Sequence, residues 1–177
     1  ARVAVLSVPQ IASRLGERFE LLTGGSRTAQ PRQQTLRAAL DWSWDLLESR
    51  ERELLARVSV FVGGWTLEAA EAVCAGGVVA EADVLDLLAA LVAHSLVVVD
   101  DLGEVSRFRL LETVRHYALD RASAGGASEG LARAHAEYYL ALAEHVAPEL
   151  RGGDQATWFD LLALEVGNLR VALGWFR

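Results

Sequence analysis

One interruption of an otherwise helical pattern most constrains the fold of this chain. Residues 96–100 have the sequence Leu-Val-Val-Val-Asp, and β-branched side chains at this density favour a strand. A turn at 101–104 follows, and residues 105–110 then alternate between two faces, which is typical of the second strand of a hairpin. Helical spacing returns on either side, so we expect a mainly α fold that contains one two-stranded sheet.

After a helical segment at 7–15, four more are predicted before the hairpin and one directly after it. They lie at 34–47, at 51–61, between the N-cap Thr66 and Gly76-Gly77, at 81–94, and from Leu111 to a break at 123–126. In residues 81–94 the apolar side chains share one face, and Asp83 and Asp86 lie on the other. This order of helices, hairpin and closing helix predicts a winged helix-turn-helix.

The last third of the chain predicts two helices joined near Gly152-Gly153, an αα-hairpin. The inward stripe of the first helix, 128–146, is expected to be Leu131, His135, Tyr138, Leu142 and Val146. That of the second helix is expected to be Trp158, Leu162, Val166, Leu169, Leu173 and Phe176. Because such a pair cannot bury both faces by itself, further helical repeats are its natural continuation.

The sequence contains few residues in patterns typical of catalytic, phosphate-binding or metal sites. It contains no lysine, so the lysine of a phosphate-binding P-loop is absent. The four histidines do not have the convergent spacing of a metal site. We therefore predict no catalytic residue, no metal ligand and no enzyme activity, and we expect Cys74 to be a small buried hydrophobe.

Composition also bears on location. No apolar run reaches the roughly 18 residues of a membrane span, nothing at the start resembles a signal peptide, and a single cysteine suits a reducing compartment. These features predict a cytoplasmic protein. Since the chain contains no Met, we expect it to be part of a longer protein.

The charges of the winged helix argue against direct DNA binding. A reading helix needs Arg, Lys, Asn or Gln aimed at base edges and phosphates, whereas residues 81–94 offer Asp83 and Asp86, and the net charge of the chain is −7. The hairpin carries Arg107 and Arg109. Protein contacts are the preferred interpretation, and a DNA-binding winged helix with a dimerisation hairpin is the alternative.

An ordered series of motifs resembles one family. RQQTLR at 32–37 continues into DWSWDLL at 41–47, SVFVGGWTLEAA occupies 59–70, and RFRLLETVR occupies 107–115. Together they resemble the winged-helix segment of bacterial STAND regulatory ATPases of the NB-ARC type, which often occur in actinobacterial transcriptional regulators of the LuxR or SARP type.

The resemblance implies that this chain is an internal segment of a multidomain protein. Residues 1–31 would end a small helical domain, 32–124 would be the winged-helix domain, and 125–177 would begin a TPR-like repeat region. ATP or ADP would bind to an upstream domain and not to this fragment. Its partners would be that ATPase domain and the helical repeats of the same chain, with homo-oligomers in the active protein and no direct contact with nucleic acid or membrane.

One motif departs from the family pattern. Related ATPases carry Met-His-Asp, whose His contacts a nucleotide phosphate, where this chain has Leu110, Leu111 and Glu112. A leucine cannot hydrogen-bond a phosphate, so Leu110 and Leu111 are expected in the core, and Arg109 or Arg115 is the candidate near a nucleotide. The candidates for contacts between domains are Trp42, Arg107, Leu111 and Glu112. Trp42 lies off the apolar stripe of its helix, either as a second contact or as a half-exposed side chain.

Overall fold

The computed structural model describes residues 31–101, 105–124 and 128–177. The chain divides into two compact units, 1–46 and 47–177, and each is described by itself. In the first unit, helix α1 spans Pro31–Leu46, which confirms the helix predicted at 34–47 and begins it almost one turn earlier. The prediction of a small helical domain falls on residues 1–31, of which 1–30 lie outside the described residues.

Three helices open the second unit. Helix α2 spans Ser49–Val58, α3 spans Leu67–Cys74, and α4 spans Val84–Ala93 after a single 3-10 turn at Glu81–Asp83. Thr66 caps α3 as predicted, because its hydroxyl oxygen accepts a hydrogen bond from the N–H of Ala69 at 3.3 Å. The apolar face predicted for 81–94 is confirmed: Val84, Leu87, Leu88 and Leu91 are buried.

Arg57 fixes the connection between α3 and α4. Its Nη1 donates to the carbonyl oxygens of Cys74 and Gly76, each at 2.8 Å, which satisfies acceptors that the end of a helix leaves open. Gly76 and Gly77 follow with φ angles of +127° and +59°. Such angles favour glycine, so the sequence breaks α3 at this point.

The predicted hairpin is present. Strand β1, Val97–Asp101, pairs antiparallel with β2, Ser106–Leu110. Trp65 adds a one-residue third strand, since it exchanges two main-chain hydrogen bonds of 2.8 Å with Phe108. Gly64 permits this approach, because a Cβ atom there would lie 2.9 Å from the carbonyl oxygen of Phe108. Helix α5, Glu112–Ala124, closes the winged helix-turn-helix.

Two long helices form the predicted αα-hairpin: α6 spans Ser128–Glu149 and α7 spans Gln155–Trp175. The stripe predicted for α7 is wrong in part. Trp158, Leu162 and Leu169 are half-buried, but Val166, Leu173 and Phe176 are exposed. The fully buried residues of α7 are Glu165, Asn168 and Ala172, none of which belongs to the predicted stripe. The physical reason is that α7 turns polar side chains towards hydrogen-bonding partners in the winged helix.

The winged helix and the αα-hairpin share an aromatic core. Phe61 stacks on Trp65 with ring centroids 5.3 Å apart and also touches the rings of His135 and Tyr139 in α6. Gly167 of α7 lies so close to the segment after α2 that a Cβ atom there would be 2.5 Å from the carbonyl oxygen of Val62. The described part of the second unit is therefore mainly helical, a winged helix-turn-helix followed by an αα-hairpin, as predicted.

Candidate functional site

Helix α4 occupies the position from which a helix-turn-helix reads DNA, the second helix of the pair. Its exposed side chains are Leu85, Asp86, Ala89 and Ala93, with His94 directly after the helix. Its ten residues, VLDLLAALVA, include no Arg, Lys, Asn or Gln. The outward face of α4 is thus apolar with one carboxylate, and it offers no side-chain donor to a base edge.

The second predicted acid of this region is engaged. Asp83, at the end of the 3-10 turn before α4, accepts a hydrogen bond from Nη1 of Arg50 at 2.6 Å. Asp86 is therefore the exposed carboxylate of α4 itself. Residues 47–122 contain thirteen Asp and Glu and seven Arg, so this segment alone has a net charge of −6 out of the −7 of the whole chain.

The two arginines of the hairpin are also engaged. Arg109 donates from Nε to Oδ2 of Asp100 on the paired strand at 2.6 Å, and both side chains are about two-fifths exposed. Arg107 is 8% exposed, and its Nη1 donates to Oε1 of Glu165 in α7. Arg107 thus joins the hairpin to α7 and does not project from the wing.

Arg107 belongs to a buried polar group that we call the junction cluster: Arg107, Glu165, Asn168 and His135. All four are less than a tenth exposed. A buried ion pair is tolerated only when further hydrogen bonds satisfy its remaining atoms. Here the second oxygen of Glu165 accepts a hydrogen bond from Nδ2 of Asn168 at 2.8 Å.

Asn168 holds the segment that leads from α2 to the one-residue strand. Its Oδ1 accepts from the main-chain N–H of Val62 at 2.7 Å, and its Nδ2 donates to the carbonyl oxygen of Gly64 at 2.8 Å. Nε2 of His135 lies 3.3 Å from the same Oδ1. One side chain of α7 therefore supplies hydrogen bonds that a loop of the winged helix would otherwise lack.

His135 is a fully buried histidine. Burial lowers the pKa of His135, while the hydrogen bond to Asn168 and the charge of Glu165 act in the opposite direction. His135 Nδ1, together with Trp65 Nε1, Arg107 Nη2 and Tyr139 Oη, is buried with no hydrogen-bond partner among the described residues.

The two candidates near a nucleotide each contact a separate carboxylate. Arg109 contacts Asp100 as described, and Arg115 contacts Glu112 with Nη2 2.9 Å from Oε1, while its Nη1 reaches the carbonyl oxygen of Ser59. The hydrogen bond from Arg115 lowers the pKa of Glu112. Both guanidinium groups would have to exchange an existing partner to meet a phosphate.

The remaining interdomain candidates lie at the surface or beside it. Leu111 is 48% exposed, so its expected place in the core is wrong: it occupies the single residue between β2 and α5, outside the buried face that begins at Val114. Glu112 is half exposed beside Arg115. Trp42 belongs to the first unit and is 67% exposed.

Other site chemistry is sparse in the described ranges. No three His, Cys, Asp or Glu side chains in residues 31–101, 105–124 and 128–177 are grouped as metal ligands would be. Cys74 is buried as predicted, and burial raises the pKa of its thiol to about 12. Within the same ranges, the helices are too short or too polar to cross a bilayer.

Sequence reasoning missed Glu165 and Asn168. A usable signal existed, because the two residues are the polar positions of the run LLALEVGNL and lie three apart, on one helix face. Two polar side chains aligned inside an apolar helix indicate buried hydrogen-bonding partners elsewhere.

Comparisons with known proteins agree with this architecture. Residues 47–122 match the family model of the winged helix-turn-helix domain. A Mycobacterium tuberculosis protein whose provisional name is HTH-type transcriptional regulator is 45% identical over 177 residues, which is 100% of this chain and 20% of that protein. A Mycobacterium bovis protein with the same provisional name matches equally well.

An uncharacterized protein of Mycobacterium tuberculosis is 39% identical over 132 residues, or 74% of this chain and 34% of that protein. The chain spans about one fifth of the length of the regulators it matches. No solved structure is a significant match. Residues 47–122 are thus a winged helix-turn-helix domain, and the chain resembles part of HTH-type transcriptional regulators.

Proposed function

We propose that this chain is a non-catalytic regulatory segment of a transcriptional regulator and that its winged helix works through protein contacts. The observation that carries this proposal is the outward face of α4, which is apolar and acidic where a DNA-reading helix needs donors and positive charge. The transcriptional context is supported by the names of the mycobacterial relatives. The finer assignment to a STAND-type ATPase rests on the motifs at 32–47, 59–70 and 107–115.

The face of α4 has the chemistry of a protein contact. Leu85, Ala89 and Ala93 are exposed and spaced by four residues, so they form one apolar strip along the helix. Asp86 borders this strip, and a surface with a basic rim would be complementary to it. The occupant we propose is the nucleotide-binding domain of the same protein.

In this proposal the αα-hairpin connects the winged helix to the helical repeats. The exposed apolar side chains of α7 include Phe159, Leu164, Val166, Leu173 and Phe176, and the occupant we propose for them is the next helical repeat. Because the junction cluster ties α7 to the hairpin and to the loop after α2, a displacement of α7 would be transmitted to the winged helix.

In this proposal the segment has no enzymatic activity and holds neither cofactor nor metal, and ATP or ADP binds to the upstream domain. Arg109 or Arg115 would meet a nucleotide phosphate only by exchanging Asp100 or Glu112 for it. The domain limits 1–31, 32–124 and 125–177 belong to the same proposal.

The second candidate function is direct DNA binding by the winged helix, with the αα-hairpin as a dimerisation element. The family match over 47–122 and the names of the relatives favour this candidate, whereas the charge of α4 favours the first. The relatives' name applies to proteins of which this chain covers one fifth.

Fluorescence anisotropy separates the two candidates. Labelled duplexes from a randomised pool, enriched by the protein at low salt, are titrated with the chain at ~50 mM and ~200 mM salt, since phosphate contacts weaken steeply over this range. The first candidate predicts no rise in anisotropy at either concentration. Affinity that collapses with salt would instead establish the second candidate and direct attention to surfaces other than α4.

A further inference from the structure

A cleft of about 450 Å³ lies between the winged helix and the αα-hairpin. The start of α3 and strand β2 contribute lining residues from the winged helix, and α6 and α7 contribute them from the αα-hairpin. Most of the lining side chains are apolar or aromatic, and they include Ala69, Leu142, Leu161 and Leu164. A cleft of this size and character is typical of sites that bind small organic molecules.

The acidic side chains of the cleft outnumber the basic ones. Arg107 is the one cation among the described lining residues, and its charge is matched by its ion pair with Glu165. Glu68 of α3 and Asp160 of α7 also line the cleft, both are exposed, and neither forms an ion pair within the described part of the chain. The cleft therefore presents two unbalanced carboxylates, one from the winged helix and one from the αα-hairpin.

Tyr138 lies within reach of this negative charge. Burial raises the pKa of Tyr138, a hydrogen bond to Thr66 lowers it, and the charges of Glu165 and Glu68 raise it again. Carboxylates that disfavour a phenolate at this position favour a cation there. The ring of Tyr138, which is set edge to face against that of Tyr139 with centroids 5.2 Å apart, adds an aromatic surface of the kind that attracts organic cations.

We propose that this cleft binds a small organic cation, whose apolar body lies beside Leu142 and Leu161 and whose ammonium group is neutralised by Glu68 and Asp160. An anion would add to the negative charge, and a neutral molecule would gain nothing from the two carboxylates. Because the ligand contacts both the winged helix and the αα-hairpin, it stabilises their packed arrangement by mass action. The inference does not depend on whether the winged helix contacts protein or DNA.

Equilibrium dialysis compares three probes that share one apolar ring system and differ in charge: pyrenemethylammonium, pyrenemethanol and pyreneacetate. The ammonium compound is expected to bind at least about fivefold more tightly than the alcohol, and the acetate more weakly than the alcohol. This order should be clear in ~20 mM salt and compressed in ~300 mM salt, because salt screens exposed charges.

Glu68→Gln and Asp160→Asn each remove one charge at an exposed position and keep the size of the side chain. Each is expected to weaken binding of the ammonium compound by about twofold or more and to leave binding of the alcohol unchanged. Glu144→Gln is the matched control, since it removes a carboxylate from an exposed position of α6 that does not line the cleft. It should change neither affinity.

Leu161→Trp fills the cleft and is expected to abolish binding of all three compounds, and the carboxylate variants test the proposal even if this variant fails to fold. Equal affinity for the ammonium compound and the alcohol, or no binding of the ammonium compound, would overturn the proposal. So would an unchanged preference in the double variant of Glu68→Gln and Asp160→Asn, an equal loss in Glu144→Gln, or binding that survives in folded Leu161→Trp.

Discussion

The side chain of Asn168 accepts a hydrogen bond from the main-chain N–H of Val62 at 2.7 Å, across 106 positions of sequence. The same side chain donates to the carbonyl oxygen of Gly64. A loop that would ordinarily belong to the winged helix alone is thereby completed by the last helix of the chain. Substitutions that remove these hydrogen bonds can therefore test the contact between the winged helix and the αα-hairpin.

Asn168→Ala is expected to destabilise the protein by about 2 kcal/mol, because the buried carbonyl oxygen of Gly64 and the partly buried N–H of Val62 both lose their partner. Urea unfolding measures the loss, and hydrogen exchange of the Val62 amide should accelerate with it. Arg170→Ala, at an exposed position of the same helix, is the control and should change neither. Unaltered exchange at Val62 in the Asn168 variant would contradict the pairing.

Glu165→Gln tests the buried ion pair. Removing one charge leaves the guanidinium of Arg107 buried without its partner, which typically costs about 3–5 kcal/mol. The matched control is Glu137→Gln, which removes an exposed carboxylate paired with Arg133 on α6 and should leave the unfolding midpoint unchanged. Equal effects of the two substitutions would show that the ion pair between Arg107 and Glu165 is exposed to solvent.

Two glycines of α7 should respond differently to substitution by alanine. Gly167→Ala places a methyl group 2.5 Å from the carbonyl oxygen of Val62, so α7 must move and the protein loses stability. Gly174→Ala meets open space, and the change is expected to be neutral or to stabilise by up to ~1 kcal/mol. Thermal unfolding of the pair checks this, and a stabilised Gly167→Ala would mean that α7 does not approach the loop.

His135 predicts a loss of stability in mild acid. Because burial lowers its pKa in the folded protein, the unfolded chain binds the proton more readily, and the free energy of unfolding falls as pH drops through the unfolded value of about 6.5. Denaturant midpoints from pH ~7.5 to ~5.5 should decline in the wild type and stay nearly level in His135→Gln. Glu112, whose pKa is lowered, contributes only at more acidic pH. His94→Gln, at an exposed position, should retain the full slope.

Leu85→Glu addresses the proposed protein contact of α4. The side chain is half exposed, so the substitution should leave stability within about 0.5 kcal/mol, yet it places a charge in the apolar strip. Calorimetric titration with the ADP-bound upstream domain should show at least about tenfold weaker binding. Leu173→Glu, on α7, should bind as the wild type does, and a Leu85→Glu variant of undiminished affinity would move the contact elsewhere.

The winged helix could be predicted from sequence because its signals are local. The alternation of 105–110, the Thr66 cap and the apolar face of 81–94 each depend on residues a few positions apart. The buried face of α7 could not, because its determinants are distant: Glu165 and Asn168 are buried only where Arg107, Val62 and Gly64 meet them. Apolar periodicity therefore misses the three fully buried positions of the helix, Glu165, Asn168 and Ala172.

The candidate site was likewise predictable only where its determinants are close together in sequence. Charges on α4 could be assessed from its own ten residues, so its lack of DNA-reading side chains was foreseen. The engagement of Arg107 with Glu165 required the packing of α7 against the hairpin, which no local pattern encodes. Leu111 was misjudged for a related reason, since its exposure depends on where β2 ends and α5 begins.

The junction cluster gives the similarity limit at residue 122 a particular meaning. A chain cut there would lose only the last two residues of α5 from the winged helix, yet Val62, Gly64 and Arg107 would all lose their side-chain partners in α7. The winged helix-turn-helix domain matched by sequence is therefore smaller than the segment that contains all of its hydrogen-bonding partners. A gene fusion that placed this winged helix in another protein would therefore have to include the αα-hairpin as well, because α7 supplies its missing hydrogen bonds.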